Sequence, residues 1–366
     1  MKNAPLFPKL RIVTLELSLF AALALNVISA QPASAQTETT LYNFCSATNC
    51  SDGAAPTGGL IADTAGNLYG NTIYGGASTA GWVGGGVVFK LTPSGDESVL
   101  YSLHNGVPGD GYWPGGLITM DAQGNLYGTA ERGGAHSLHV AHGDGTAFKV
   151  SPNGTETILY NFGASSTDGV DPFSGMVRDA TGNLYGTTYI GGVYAAGTVF
   201  RLTPAGVETV LHNFANDDTD GGYPWASLIL DKNGNLYGMT PSGGSGNSGT
   251  VFELTAEGSY QVLYSFAGGS DGALPLTSLT LDSQGNLYGT TYRANAACCT
   301  NHYQGTVFKL TPGSNGSWQE TILYNFIQQG QSCQQPASNI VLDSHGNLYG
   351  TTNQGGAWKG GCLFRD

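Results

Sequence analysis

From about residue 41 onward the apolar and polar positions break the chain into short runs, each bounded by Gly, Pro, Asn or Asp. Four kinds of run recur in fixed order. The first ends in Asp, as in Gly59-Leu60-Ile61-Ala62-Asp63 and Ser227-Leu228-Ile229-Leu230-Asp231. The second is Gly-Asn-Leu-Tyr-Gly-Thr-Thr, as in Gly182 to Thr188. A variable Gly-rich loop leads to the third, Gly-Thr-Val-Phe-Lys/Arg-Leu-Thr-Pro, as in Gly197 to Pro204 and Gly305 to Pro312. The fourth is Glu-Thr-Ile-Leu-Tyr-Asn-Phe, as in Glu156 to Phe162. Rich in Val, Ile, Leu, Thr, Tyr and Phe, all four read as β-strands, named A to D here.

The links say how the strands pair. Asp-x-x-Gly-Asn between A and B is a tight hairpin: its Gly takes positive φ and its Asp bonds the turn amides. Thr-Pro-x-Gly between C and D is a second hairpin. The unit is an antiparallel four-stranded meander. Gly-Asn-Leu-Tyr-Gly begins at Gly66, Gly124, Gly182, Gly234, Gly285 and Gly346, with steps of 58, 58, 52, 51 and 61 residues. Such a period with four strands per unit predicts an all-β, six-bladed β-propeller, since sheets packed face to face around an axis bury surfaces that one sheet leaves wet. The expected blades span about 59–103, 116–162, 174–214, 226–266, 277–326, and 338–366 with 37–44.

The two ends fit that count. The chain from residue 36 opens on a lone D run, Leu41-Tyr42-Asn43-Phe44, and closes on A, B and C alone, through Leu363-Phe364. Pairing the N-terminal run with the last C strand would complete blade six, one strand plus three, and leave no free sheet edge.

Composition supports the strand reading and restricts function. Gly contributes 57 of 366 residues and charged residues only 11%. That suits short strands and tight turns better than helices, whose exposed faces need charged formers. The formal net charge of −13 argues against a broad nucleic-acid or anionic-membrane footprint. Residues 1–35 read as a secretory signal peptide: Lys2, Lys9 and Arg11 precede the apolar run Leu17 to Ile28, and Ala33-Ser34-Ala35 offers a cleavage site. Its removal would take the charge to −15 and leave no membrane span. The expected location is secreted, extracellular or periplasmic. Six cysteines in an exported chain suggest disulfides. Cys45 and Cys50 are the natural pair, Cys298, Cys299 and Cys333 are expected near one another, and Cys362 has no evident partner.

The units resemble the GloVer tandem repeat of exported bacterial proteins. The resemblance rests on Gly-Asn-Leu-Tyr-Gly-Thr-Thr, the Gly-Gly after it, the Gly-Thr-Val-Phe-x-Leu-Thr-Pro run and Leu-Tyr-x-Phe, and covers about residues 41–366. It implies architecture and an exported location, with no established activity to carry over. Family members carry varied C-terminal anchors, and the chain's stop at Asp366 without a sorting tail leads us to expect a released protein. Asp-x-x-Gly-Asn-Leu-Tyr is also similar, over a few residues per blade, to repeats of NHL and gluconolactonase-type propellers.

Function is expected on the face where the variable B–C loops and D–A links emerge. Five links carry Asp-Gly-x-x-Pro, at Asp52, Asp110, Asp168, Asp220 and Asp271. These carboxylates either ring the channel mouth and hold a cation or shape the turn, and the turn is the commoner use. The second blade's B–C loop holds His136, His139 and His142, with His104 in the link before it. A divalent metal could sit there, although the spacing defines no ligand set. Trp82, Trp113, Tyr223, Trp225 and Trp358 offer rings for stacking on a sugar or gripping a peptide, or for plugging the channel. There is no nucleophile elbow, P-loop or dinucleotide fingerprint. Three readings follow: a non-enzymatic module binding a glycan, peptide or envelope component; a metal-dependent hydrolase or lactonase; or a structural or adhesive envelope protein.

Overall fold

Each four-run unit folds into one antiparallel sheet. The computed structural model describes residues 40–365 apart from 78–83, 106, 108, 139–142, 295–304, 327–332 and 357–359. Tyr42–Asp366 form one compact unit. Of the other, Met1–Leu41, only the last two residues are described, so the signal-peptide reading lies outside the described residues.

The third blade shows the pattern. Strands A (Val177–Arg178), B (Leu184–Thr188), C (Thr198–Leu202) and D (Glu208–Asn213) pair in sequence order, all antiparallel. The fourth and fifth blades repeat it from Ile229 to Ser265 and from Thr280 to Asn325. In the second blade the link and strand A run on as one strand, Gly111–Met120. Blade one adds the link strand Ala54–Pro56 to its B strand, and blade six comprises A (Val341–Leu342), B (Leu348–Gln354) and C (Cys362–Arg365) with the link strand Gln334–Pro336. The chain is a six-bladed β-propeller, as the repeat predicts. All five C–D ladders shift register at the same place, such as between Val199 and Phe200. This bulge twists each outermost strand.

The hairpin motif is explained atom by atom in blade three. Asp179 Oδ1 accepts from the amides of Thr181 and Asn183, while Oδ2 accepts from Asn183 Nδ2 and the Tyr185 hydroxyl. Gly182 holds φ +93. Leu184 is buried, and a β-carbon on Gly186 would lie 2.6 Å from Phe200 Cζ, so only glycine admits that ring.

Blades are joined by a repeated apolar seam. Ala147 and Phe162 of blade two pack against Met176, Leu184, Phe200 and Leu202 of blade three, and Val199 and Phe214 meet Leu228, Leu236, Phe252 and Leu254 in the same way. Each fully buried Phe contributes roughly 1.5–3 kcal/mol of burial.

The last seam differs from the expected one. Phe44 lies 4.8 Å from Phe89, matching Phe162 on Phe200 at 5.0 Å. The N-terminal run therefore takes the place of a D strand against blade one. Yet no β-ladder joins Tyr42–Phe44 to Cys362–Arg365 among the described residues. Leu363 is 71% exposed and Leu60 53%, while their counterparts Val199 and Met176 are 0% and 1%. Ring contacts, not strand pairing, occupy this place. Tyr42–Phe44 rest on blade one, which leaves the outer edge of the last C strand without main-chain partners among the described residues.

A second correction concerns the cysteines. Cys45 pairs with Cys50 as expected, but Cys333 pairs with Cys362; Cys298 and Cys299 lie outside the described residues. In blades two to four the link glycine packs on strand-C threonine: a β-carbon on Gly169 would lie 2.7 Å from Thr198 Oγ1. Cys333 and Cys362 occupy these two positions in blade six, at a Cα–Cα distance of 5.6 Å, and make the contact covalent.

Candidate functional site

The D–A links form the inner rim of the face that bears the B–C loops, and each is clamped between two blades. The link aspartates are the clamps. Asp168 Oδ2 accepts from the Tyr160 hydroxyl at 2.8 Å and the Ala164 amide, and Oδ1 from the Gly169 amide. Asp52 takes the Tyr42 hydroxyl, the Ser46 amide and the Ser46 hydroxyl. Asp271 takes the Tyr264 hydroxyl and the Ala267 amide. Asp110 faces Tyr101 and His104, and Asp220 faces His212 and Tyr260. Of the two alternatives for these carboxylates, the turn-shaping one accounts for the contacts.

Two residues beyond each link glycine or its cysteine counterpart, the backbone enters the left-handed region although the residue is not glycine. This holds at Ala55, Trp113, Asp171, Tyr223, Leu274 and Gln335, with φ between 54° and 60°. Their amides reach the preceding blade: Trp113 N donates to Gly85 O at 2.8 Å, Tyr223 N to Ala196 O at 2.7 Å, and Leu274 N to Ser248 O at 3.0 Å. The proline that follows packs on a glycine of that blade, as Pro275 does on Gly249. A non-glycine residue held left-handed costs of order 1–3 kcal/mol, and such positions cluster at functional sites. The conformation is constant, while the side chain changes from Ala to Trp, Asp, Tyr, Leu and Gln.

These side chains meet residues at the end of the preceding B strand. Trp113 lies edge-on to Tyr74 with centroids 6.0 Å apart, Tyr223 meets Tyr189 at 5.5 Å, and Gln335 Oε1 accepts from the Tyr292 hydroxyl. Arg132 binds Asp171 at 2.6 Å through Nη1 and Glu131 at 2.8 Å through Nη2. Burial pushes the Asp171 carboxyl up to about 6 despite the guanidinium, and raises Glu131 as well. Two residues past Asp171, Phe173 packs on Trp225 at 4.4 Å, and Trp225 meets Tyr189 edge-on at 5.3 Å. Trp225 remains 38% exposed. The buried indole N–H of Trp113 has no hydrogen-bond partner among the described residues.

Next to this rim, Asp110, Tyr112, His136 and parts of both blade-two loops line a cavity of about 290 Å³. His104 Nδ1 is 2.9 Å from Asp110 Oδ2. His139, His142, Trp82 and Trp358 lie outside the described residues. Among the described residues no group of three or more His, Cys, Asp or Glu is placed to hold a metal. Sequence reasoning missed Asp171, Arg132, Phe173 and Tyr189. Their signal was the residues before and after each link proline and the one or two after Gly-Thr-Thr, which vary between units that otherwise match.

Fold and rim together define a tandem-repeat β-propeller with an aromatic and charged mouth. The repeat described as the Gloeobacter/Verrucomicrobia repeat matches residues 27–177 and 136–364, and the chain belongs to that family. No curated protein matches its sequence. Among solved structures it is similar to a glucose dehydrogenase-type oxidoreductase from Thermus thermophilus (15% identity, 82% of this chain and 92% of that one, TM-score 0.48). It is also similar to a luciferin-regenerating enzyme (13%, 81% and 84%, TM-score 0.46) and to a protein described as a gluconolactonase (16%, 76% and 80%, TM-score 0.42). Two disulfides are consistent with an extracellular location, and no helix among the described residues is long and apolar enough to cross a membrane.

Proposed function

We propose that this protein is an exported, non-enzymatic binding module that takes a glycan at the inner rim formed by its D–A links. The observation that carries the reading is the set of six left-handed positions. A constant, strained backbone presents a different side chain from every blade, which is how a rigid scaffold displays a recognition surface. Along the rim, the Phe173–Trp225 pair offers ring faces to the C–H side of a sugar. Arg132 with Asp171 offers polar groups to its hydroxyls.

Glycan-array and calorimetric titration with Trp225→Ala and Trp113→Ala test this. We expect each variant to lose at least about tenfold in affinity, the equivalent of about 1.4 kcal/mol, with the unfolding midpoint little changed for the exposed Trp225. Failure of the wild-type protein to bind any glycan, or binding unaffected by both substitutions, would remove the proposal. The metal-dependent hydrolase reading rests on His104, His136, His139 and His142, of which His139 and His142 lie outside the described residues. Stoichiometric metal in the purified protein, lost on His136→Ala, would replace the binding module by that reading.

A further inference from the structure

The clamp aspartates have a second set of partners outside the rim. In four seams the link Asp, a Tyr of the preceding D strand (of the N-terminal run at Asp52) and a Glu at the start of the next D strand come together. These sets are Asp52–Tyr42–Glu97, Asp110–Tyr101–Glu156, Asp168–Tyr160–Glu208 and Asp271–Tyr264–Glu320. We propose that each of these four seams binds a proton, which the glutamate carries as a neutral carboxylic acid. The contact between successive blades is then proton-linked, firm in acid and weaker at alkaline pH.

Counting protons supports this at one seam directly. The Tyr264 hydroxyl lies 2.9 Å from Glu320 Oε2 and 3.2 Å from Asp271 Oδ2. A phenol has one proton and can donate to only one of them. The other contact needs a proton on a carboxyl. At the Asp110 seam the Tyr101 hydroxyl donates to Asp110 Oδ2 at 3.2 Å, and burial, with the charge of Asp110 added to it, raises Glu156. Oε1 of Glu97, Glu156, Glu208 and Glu320, and Oδ1 of Asp52 and Asp110, are buried with no hydrogen-bond partner among the described residues. Asp52 and Asp110 are themselves more than nine-tenths buried.

The groups facing each glutamate are its own Asp and Tyr. The one basic group beside any of the pairs, among the described residues, is His104, on Asp110. Burial first, and then the aspartate's charge, hold Glu97 and Glu208 up to about 7 and raise Glu156; Glu320 also stands at about 7 although Tyr264 opposes the rise.

The remaining clamp serves as an internal control. At Asp220 the glutamate position is Tyr260, whose hydroxyl donates to Oδ1 at 2.6 Å. The tyrosine position is His212, with Nε2 3.0 Å from Oδ2. Their rings stack at 3.6 Å and 7°. This carboxylate has a donor on each oxygen and needs no extra proton. Accordingly burial, which works upward, is outweighed by the bonds from His212 and Tyr260, and Asp220 is held low. Where the glutamate is gone the tyrosine has changed with it, as expected if the three groups act together.

The sign follows from linkage. A carboxyl raised from 4.5 to about 7 on folding contributes stability that is fully present below about pH 4.5 and lost as pH rises through about 7. The test is the unfolding equilibrium of the full chain between about pH 5 and pH 8, for wild type and for E97Q/E156Q/E208Q/E320Q, with E208Q alone as the milder variant. Glutamine keeps the shape of the neutral acid. We expect the wild-type unfolding constant to rise over this range, and the slope to fall by roughly one proton for each glutamate replaced, leaving the variants at least as stable as wild type at about pH 8. Equal destabilisation of the variants at both pH values would overturn the proposal. Calcium-dependent stability at about pH 8 that the glutamines abolish would also overturn it, in favour of a cation. Should the quadruple variant fail to fold, E208Q and a carboxyl carbon-13 titration of wild type decide; four glutamates titrating near 4.5 in the folded protein would sink it.

Discussion

Asp63, Asp121, Asp179, Asp231, Asp282 and Asp343 each close a hairpin by serving two backbone amides and the amide of an asparagine, and all but Asp231 also receive the hydroxyl of the tyrosine two residues beyond it. Side-chain bonding from Asn67, ahead of the small cost of burial, holds the Asp63 carboxyl down at about 2, and Asp179 stands at about 2 with burial opposed by Asn183 and Thr181. A depressed carboxylate contributes stability that is present above about pH 4 and lost as pH falls through about 2. The left-handed rim positions make an opposite kind of residue-scale prediction. Ala55 is exposed and held at φ +54, so Ala55→Gly should raise stability by up to about 1 kcal/mol, the reverse of glycine's usual effect in a strand. Denaturant unfolding with unchanged slope would check it.

At the scale of the element, blade six lacks both the link Asp-Gly and the strand-C Thr of blades two to five and carries a disulfide in their place. Replacing Cys333 by Gly and Cys362 by Thr would restore the contact found in blades two to four without a covalent bond. We expect that double variant to fold but to lose about 3 kcal/mol, because a loop of 29 residues is no longer closed in the unfolded chain; thermal unfolding with and without reductant would measure it. The alignment of Cys333 with a link glycine and of Cys362 with a strand-C threonine was readable from the repeat. Proximity in a sheet of known register was needed to give that alignment meaning. The Cys45–Cys50 pair needed no such step, since the sequence separation is only 5.

For the whole molecule the two families of carboxyl groups oppose each other. Hairpin aspartates lose stability below about pH 4, and the seam glutamates lose it toward pH 7. A thermal midpoint measured against pH should therefore peak at about pH 4 to 5, well below neutrality; a maximum at pH 7 or above would contradict that balance.

The pairing of the N-terminal run with the last C strand was expected and is absent among the described residues. Strand pairing within each blade, hairpin chemistry, blade count and the face that carries variation were legible in the sequence. All are local consequences of turn residues and two-residue alternation, repeated six times with little change. The rim residues Asp171, Arg132, Phe173 and Tyr189 were not, because what marks them is a backbone conformation and a neighbour from another blade. The seam chemistry of Glu97, Glu156, Glu208 and Glu320 was likewise hidden, since each glutamate lies most of a repeat away from its aspartate and the charge it meets depends on how one sheet is turned against the next. Local patterning decided what each blade is; only packing between blades decided which polar groups are driven together out of water, and that placement sets both the recognition surface and the response to pH.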